Sequence, residues 1–479
     1  MYTEYAKRRR FSSDDHLAFA QLSGDYNPLH MDRIAARRLL YGKPVVHGIH
    51  AVLWALDSYL DDSEAGGRVL SSVKVVFRSP IGLGEELSCR LQYHDGASSE
   101  MGLLSQDSTI AQMKVVWSNS DLVGSVHIPD EFPAQAQCVE LSSNEVATCS
   151  GEVDLVLNGP RLSTLFPNLA KSVSRLQVAE ILATTRLVGM ICPGMHSIFS
   201  ELELHFTPND NGPSVLSYMV AEYDERFSRV VMRVTAPGLE GKIVAFVRPR
   251  PQVQADLESV RARVVPAEFA GQRALVVGGS RGLGEIAAKL LAAGQADLVI
   301  TYHTGIEDAQ RVVEEIVRGG GGRARFCALD VSEPWPDAAA ILGKDWVPTH
   351  LYYFATPAIF RAKKGRFSLP LFQDFCDYYV GGFLKTVQAV RSLGPGLERV
   401  YYPSSVSIDE VPSNMGEYVA AKMAGEALCS FLEEHTRGIR ILAIRLPRIA
   451  TDQTASLLQV DSQDGVETML HTLRLVNKA

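Results

Sequence analysis

Residues 273–292 constrain this chain more than any other stretch. Arg273–Val277 is a short apolar run, and Gly278-Gly-Ser-Arg-Gly282-Leu-Gly284 interrupts it and opens a helix running through Ala292. A strand that turns on glycines into a helix sends the next strand back in parallel beside the first. The alternation continues with a strand at Leu298–Tyr302, a helix at Ile306–Arg318 and a strand at Arg325–Leu329. Further strands follow at Leu351–Phe354, Val400–Tyr402 and Ile439–Arg445. The expectation is a doubly wound parallel sheet. The glycines allow the backbone to approach a pyrophosphate, and the helix N-terminus supplies its dipole and free amides.

The first half follows a different grammar. Asp25 and His30 lie five apart in Ser23-Gly-Asp-Tyr-Asn-Pro-Leu-His30, a stretch that Gly24 and Pro28 mark as a loop. A carboxylate and an imidazole on one loop suit addition of water across an activated double bond. One group handles the water proton and the other the proton on the carbon beside the carbonyl. Residues 13–22 read as a short capped helix leading into this loop. The apolar run Val45–Leu60 reads as a second helix with Gly48 near its start, where an amide at the positive dipole end suits a developing enolate oxygen. Strand-like runs follow at Ser72–Arg78, Glu86–Tyr93, Met101–Ser105 and Ile110–Trp117. One helix wrapped by an antiparallel sheet is the plan.

Gly24-Asp-x-Asn-Pro-x-His30 together with His47-Gly48 resembles the signature of the (R)-specific enoyl-CoA hydratases, the MaoC-like dehydratases of the hotdog fold. The resemblance spans roughly residues 1–130. It implies that Asp25 and His30 are catalytic, with Gly48 binding the enolate.

Residues 151–250 repeat the pattern without the motif. A helix at Leu176–Ile191 precedes Pro193-Gly194 and strands at Ile198–Phe206, Ser214–Tyr223, Ser228–Thr235 and Lys242–Arg248. This block resembles the catalytically silent copy of a double-hotdog hydratase, which shapes the acyl pocket. His196 and His205 within it read as structural. Residues 131–150 and 249–270 read as linkers, the second stiffened by prolines. The expected architecture is therefore an α+β double hotdog followed by an α/β Rossmann-type doubly wound parallel sheet, with domains at 1–130, 151–250 and 271–479.

In the last domain, the Gly278-x3-Gly282-x-Gly284 spacing is followed by Tyr418-Val-Ala-Ala-Lys422, whose end residues share one helix face. Ser405 lies thirteen residues before Tyr418. These features resemble the short-chain dehydrogenase/reductase family over about residues 271–455. The resemblance implies that Ser405 holds a substrate carbonyl and Tyr418 protonates its oxygen. Lys422 favours tyrosinate; an ammonium about 4 Å away would do so by roughly 4 kcal/mol before screening. It also implies cofactor contacts from Gly278, Ser280, Arg281, Gly282, Leu283, Gly284, Asp330, Val331 and Thr451, besides Tyr418 and Lys422. The expected cofactor is NADP(H). The second strand ends at Tyr302-His303-Thr304 with no carboxylate for a ribose hydroxyl, and Arg281 can face a 2′-phosphate. Three positions depart from the family. Tyr353-Phe-Ala-Thr356 stands for its Asn-Asn-Ala-Gly, Tyr379 for a helix asparagine that anchors a water near the lysine, and Leu446-Pro447 for its Pro-Gly.

Composition excludes several classes. At net charge −8 the chain is not built as a general nucleic-acid binder, and the short Lys7-Arg8-Arg9-Arg10 run reads as a solvated edge. Seven scattered cysteines form no Cys-x-x-Cys pair, so neither a disulfide framework nor a metal site is expected. No window of about 18 apolar residues is free of charges or breakers, so no membrane span is expected, and a cytoplasmic location follows. The expected partners are acyl-CoA or acyl-carrier-protein thioesters and a second copy in a homodimer. The expected activity is bifunctional: a 3-oxoacyl-thioester reductase joined to an (R)-3-hydroxyacyl-thioester dehydratase. The rivals are a chain with one live site and a non-catalytic acyl- or NADP-binding partner of a synthase complex.

Overall fold

The computed structural model describes residues 6–39, 41–61, 69–105, 108–118, 126–207, 212–335, 337–360, 365–454 and 461–478. Two compact units divide them, with the changeover between Arg250 and Pro251.

The first unit is built on a single antiparallel sheet that holds ten strands among the described residues. They are β1 (Ala6–Arg10), β2 (Val69–Phe77), β3 (Glu86–His94), β4 (Ser98–Ser105), β5 (Ser108–Ser118), β6 (Ser150–Asp154), β7 (Ser197–Phe206), β8 (Val215–Asp224), β9 (Arg229–Ala236) and β10 (Leu239–Val247). Their order is β1-β3-β4-β5-β2-β7-β10-β9-β8-β6. Read outward from the centre, both halves follow one scheme, β2-β5-β4-β3-β1 and β7-β10-β9-β8-β6. The halves join where Ser72–Val76 of β2 pairs with Glu201–His205 of β7.

Each half packs one apolar helix on its sheet. Gly48–Asp61 buries Ile49, Val52, Leu53 and Leu56, and Arg175–Arg186 buries Val178, Ile181 and Leu182, all in one continuous core. The second helix does not stay α-helical to Ile191 as the sequence suggested. It widens into a π-helical turn at Leu187–Ile191. The segment expected as the first linker is tied down: the Val139 amide donates to the Met190 carbonyl, and the Met195 amide donates to the Val139 carbonyl, each at 2.8 Å. The basic run is the edge strand β1, whose Arg8 and Arg10 reach Glu86 on β3.

The second unit carries a parallel sheet of β11 (Arg273–Val277), β12 (Asp297–Tyr302), β13 (Ala324–Ala328), β14 (His350–Tyr353), β15 (Arg399–Ser405) and β16 (Arg440–Leu446), in the order β13-β12-β11-β14-β15-β16. The order reverses beside β11, so the crevice at its C-terminal end opens over the glycine loop. The stretch expected as the second linker contains a short helix, Leu257–Arg261, whose Leu257 and Val260 enter this unit's core. A closing helix, Gly465–Lys478, was not expected. It buries Val466, Met469, Leu470, Leu473 and Val476 at helical spacing.

Candidate functional sites

The Asp25 loop is fixed from both of its ends. Gly24, at φ +78°, ends the Ser13–Ser23 helix in the left-handed conformation and donates its amide to the Ala20 carbonyl at 2.8 Å. Asn27 caps the following turn by accepting from the Leu29 amide at 2.9 Å. Its Nδ2 donates across to the Gly189 carbonyl at 2.7 Å and the Gly194 carbonyl at 3.1 Å. One asparagine thus staples the loop to the second half of the sheet.

Asp25 is 1 % exposed. Its Oδ2 accepts from the Thr185 hydroxyl at 2.7 Å, and its Oδ1 accepts from the Asn27 amide at 3.2 Å. Thr185 belongs to the helix of the second half, and Gly189 follows in the π turn. A Cβ at Gly189 would lie 2.3 Å from Asp25 Oδ1, so only glycine leaves the carboxylate room. His30 Nδ1 lies 2.8 Å from the Val45 carbonyl. A carbonyl only accepts, so Nδ1 carries the hydrogen and a neutral ring keeps its lone pair on Nε2. His47 stacks on His30 with centroids 3.9 Å apart, and its Nε2 donates to the Asp25 backbone carbonyl at 3.0 Å. Asp25, His30 and His47 each bring one ligand-type atom within 4.8 Å of the others.

Burial pushes the Asp25 carboxyl up and the His30 imidazole down, and each is opposed by the charge of the other. Gly48 is the first residue of its helix, where an amide lies beyond the reach of the i−4 carbonyls. A Cβ there would meet the Phe77 ring at 2.8 Å. Thr185, Gly189 and the reach of Asn27 are what sequence reasoning missed. They lie some 160 residues from Asp25, and no local spacing joins them to it.

In the second unit the glycine loop follows β11. Gly278 sits at φ +77° and donates its amide to the Thr301 hydroxyl at 3.1 Å. A Cβ at Gly284 would lie 2.2 Å from the Gly278 carbonyl oxygen, so the helix packs directly on the loop. Ser280 is buried in that loop, Leu283 is partly buried, and Arg281 occupies the N-cap of the Gly282–Ala293 helix in extended conformation. The Thr451 side chain approaches to 3.9 Å of where a Cβ on Gly282 would be, which brings it to the same crevice. This cradle, which side chains would fill, fits a pyrophosphate. Asp330 sits after β13, accepting from the Ser332 hydroxyl at 2.6 Å and facing His303 at 3.3 Å; Val331 beside it is buried.

Ser405 ends β15, and its hydroxyl is bonded to Tyr418, which burial pushes above the usual phenol range. Lys422 is one turn further along the Gly416–His435 helix. Its Nζ donates to the Pro403 carbonyl at 2.6 Å and lies 3.9 Å from the centre of the Tyr379 ring. The Tyr418 ring centre is 6.0 Å away. Burial holds the Lys422 ammonium down to about 7. Tyr379 fills the space beside it and shares a 2.5 Å hydrogen bond with Thr356. Two of the departing positions therefore lock together against the lysine.

The MaoC like domain model matches residues 2–111. The (R)-specific enoyl-CoA hydratase of Aeromonas caviae is 31% identical over 107 residues, 22% of this chain and 72% of that protein. The NADPH-dependent aldehyde reductase-like protein of Arabidopsis thaliana is 30% identical over 196 residues, 37% of this chain and 72% of that protein. A short chain dehydrogenase from Burkholderia cenocepacia, solved with NADP, shares 26% identity over 43% of this chain and 91% of its own, at a TM-score of 0.37. The chain spans about 60% of the length of the uncharacterized mycobacterial oxidoreductases it matches at 27% identity. Among the described residues no helix is long and apolar enough to cross a membrane.

Proposed function

Since the chain belongs to the MaoC-like hydratases through its N-terminal domain and to the short-chain dehydrogenase/reductases through its C-terminal unit, we propose that it reduces a 3-oxoacyl thioester and dehydrates the resulting (3R)-hydroxyacyl thioester. The observation that carries the dehydratase half is the buried Asp25 carboxyl, held by Thr185, beside the half-buried His30. In the hydration direction, the His30 Nε2 lone pair takes a proton from water as the oxygen bonds to C3. Asp25, whose carboxyl burial pushes up, gives a proton to C2 in this direction, and the Gly48 amide receives the enolate oxygen. The proton on His30 then returns to Asp25. Dehydration runs the same path backward.

The mirrored order of the ten-stranded sheet supports a second, silent hotdog at residues 151–250. Its part is to hold the carboxylate rather than only to wall the acyl chain.

For the reductase half, Ser405 and Tyr418 hold the substrate oxygen, and Tyr418 donates its proton there. A bound nicotinamide cofactor supplies the hydride. The glycine cradle supports its pyrophosphate, and Arg281 at the N-cap supports NADPH over NADH. The substrate is a CoA or carrier-protein thioester.

Asp25→Asn and His30→Ala should each lower hydration of crotonyl-CoA by at least a thousandfold, with the melting temperature and NADPH binding retained. Equal rates in Asp25→Asn and the parent protein would remove Asp25 from the mechanism.

A further inference from the structure

Arg248 follows β10 and is 1 % exposed. Its backbone amide donates to the His196 carbonyl at 2.7 Å. Its Nη2 donates to the Met195 carbonyl, whereas Nε and Nη1 have no partner. The Met195 carbonyl is also reached by Asn27 Nδ2 at 3.4 Å, so the guanidinium is anchored one carbonyl away from the catalytic loop. His30, Tyr41 and Cys138 all feel its charge, and Cys138 itself bonds the Gly189 carbonyl beside Asp25. Arg248 thus stands at the edge of the Asp25–His30 site.

No carboxylate pairs with it among the described residues. Glu140, on the neighbouring segment, is engaged by His196 at 3.0 Å and Arg250 at 3.3 Å. Burial lowers Arg248 to about 10, which leaves it charged at neutral pH. A buried charge without a counter-ion is costly, and the cost is recovered when an anion with matching acceptors arrives. The N–H groups left on Nε and Nη1 point to opposite edges of the guanidinium, and a carboxylate arriving at either edge finds a donor for a charge-assisted hydrogen bond.

We infer that Arg248 receives a carboxylate carried on the acyl chain, so that the hydratase site takes acyl thioesters with an acidic group beyond the reacting carbons. The inference rests on the proposed hydratase function. The rival source of the anion is a phosphate of the carrier. The depth of Arg248 beside the catalytic pair favours the acyl group, which must itself enter that depth to react.

Binding of succinyl-CoA and of butyryl-CoA, equal in carbon count and inert to hydration, tests this without turnover. The full-length protein should bind succinyl-CoA at least tenfold more tightly, the size of one charge-assisted pair. Arg248→Met should bring the two within about twofold, and Arg248→Lys should keep part of the preference. Equal affinities in the parent protein overturn the inference, and this comparison needs no variant to fold. An equal loss of both ligands in Arg248→Met also overturns it. If that loss disappears with pantetheine thioesters, the anion is the carrier phosphate. Crotonyl-CoA hydration, measured alongside, tests the hydratase function separately: its absence defeats that function whatever the binding preference.

Discussion

Asp25 depends on a residue that carries no functional group. Gly189 leaves the space in which Oδ1 sits, and a methyl group there would stand 2.3 Å from it. Gly189→Ala should therefore displace the carboxylate and cut hydration of crotonyl-CoA at least a hundredfold. The Thr185 hydrogen bond to Oδ2 is disturbed with it. Far-ultraviolet circular dichroism should be unchanged and NADPH binding intact. A full hydration rate in Gly189→Ala would show that the second half does not position Asp25. At this scale the sequence was informative where chemistry is local. Asp25, Asn27 and His30 fall within six residues, and Tyr418 and Lys422 within one turn. It was silent on Thr185, Gly189 and Arg248, because β pairing across the β2–β7 seam brings them to the loop.

Two π-helical turns border the two candidate sites. Leu187–Ile191 carries Gly189, and Asp377–Gly382 carries Tyr379. Such turns shift the following side chains around the helix and occur frequently at functional positions. In the second of them, Tyr379 presses its ring against Lys422 and keeps water from it. With Lys422 held down to about 7, the reductase rate should fall as pH rises through 7, when the ammonium beside Tyr418 is lost. Tyr379→Asn should admit water, ease the desolvation and move that limb upward by about one pH unit or more. It should also cost about 2–4 kcal/mol of stability as a large-to-small change, seen as a lower melting temperature. A limb that stays in place would separate Lys422 from the pH dependence. Neither π turn has a local marker that a reading of the residues could use. β1 and β6 were illegible for another reason: Lys-Arg-Arg-Arg and Ser-Gly-Glu-Val-Asp sit at sheet edges, where little alternation of apolar residues is required. The closing helix was different. Val466, Met469, Leu470, Leu473 and Val476 displayed its period openly.

At the scale of the whole molecule, residues 1–250 and 251–479 carry one candidate site each, and the two proposed chemistries would share an intermediate. Joining them on one chain raises the effective concentration of the second site for a substrate that both engage. On the proposed function, the alcohol formed at Tyr418 is the one Asp25 and His30 dehydrate. The direct measurement is to give the protein acetoacetyl-CoA and NADPH and follow the acyl products by chiral chromatography with mass detection. The parent protein should oxidise NADPH and form crotonyl-CoA. The Asp25→Asn variant should instead accumulate (3R)-hydroxybutyryl-CoA, and Tyr418→Phe should make neither product yet still hydrate added crotonyl-CoA. An S alcohol from Asp25→Asn, or no NADPH oxidation with any 3-oxoacyl thioester, would contradict the coupled account.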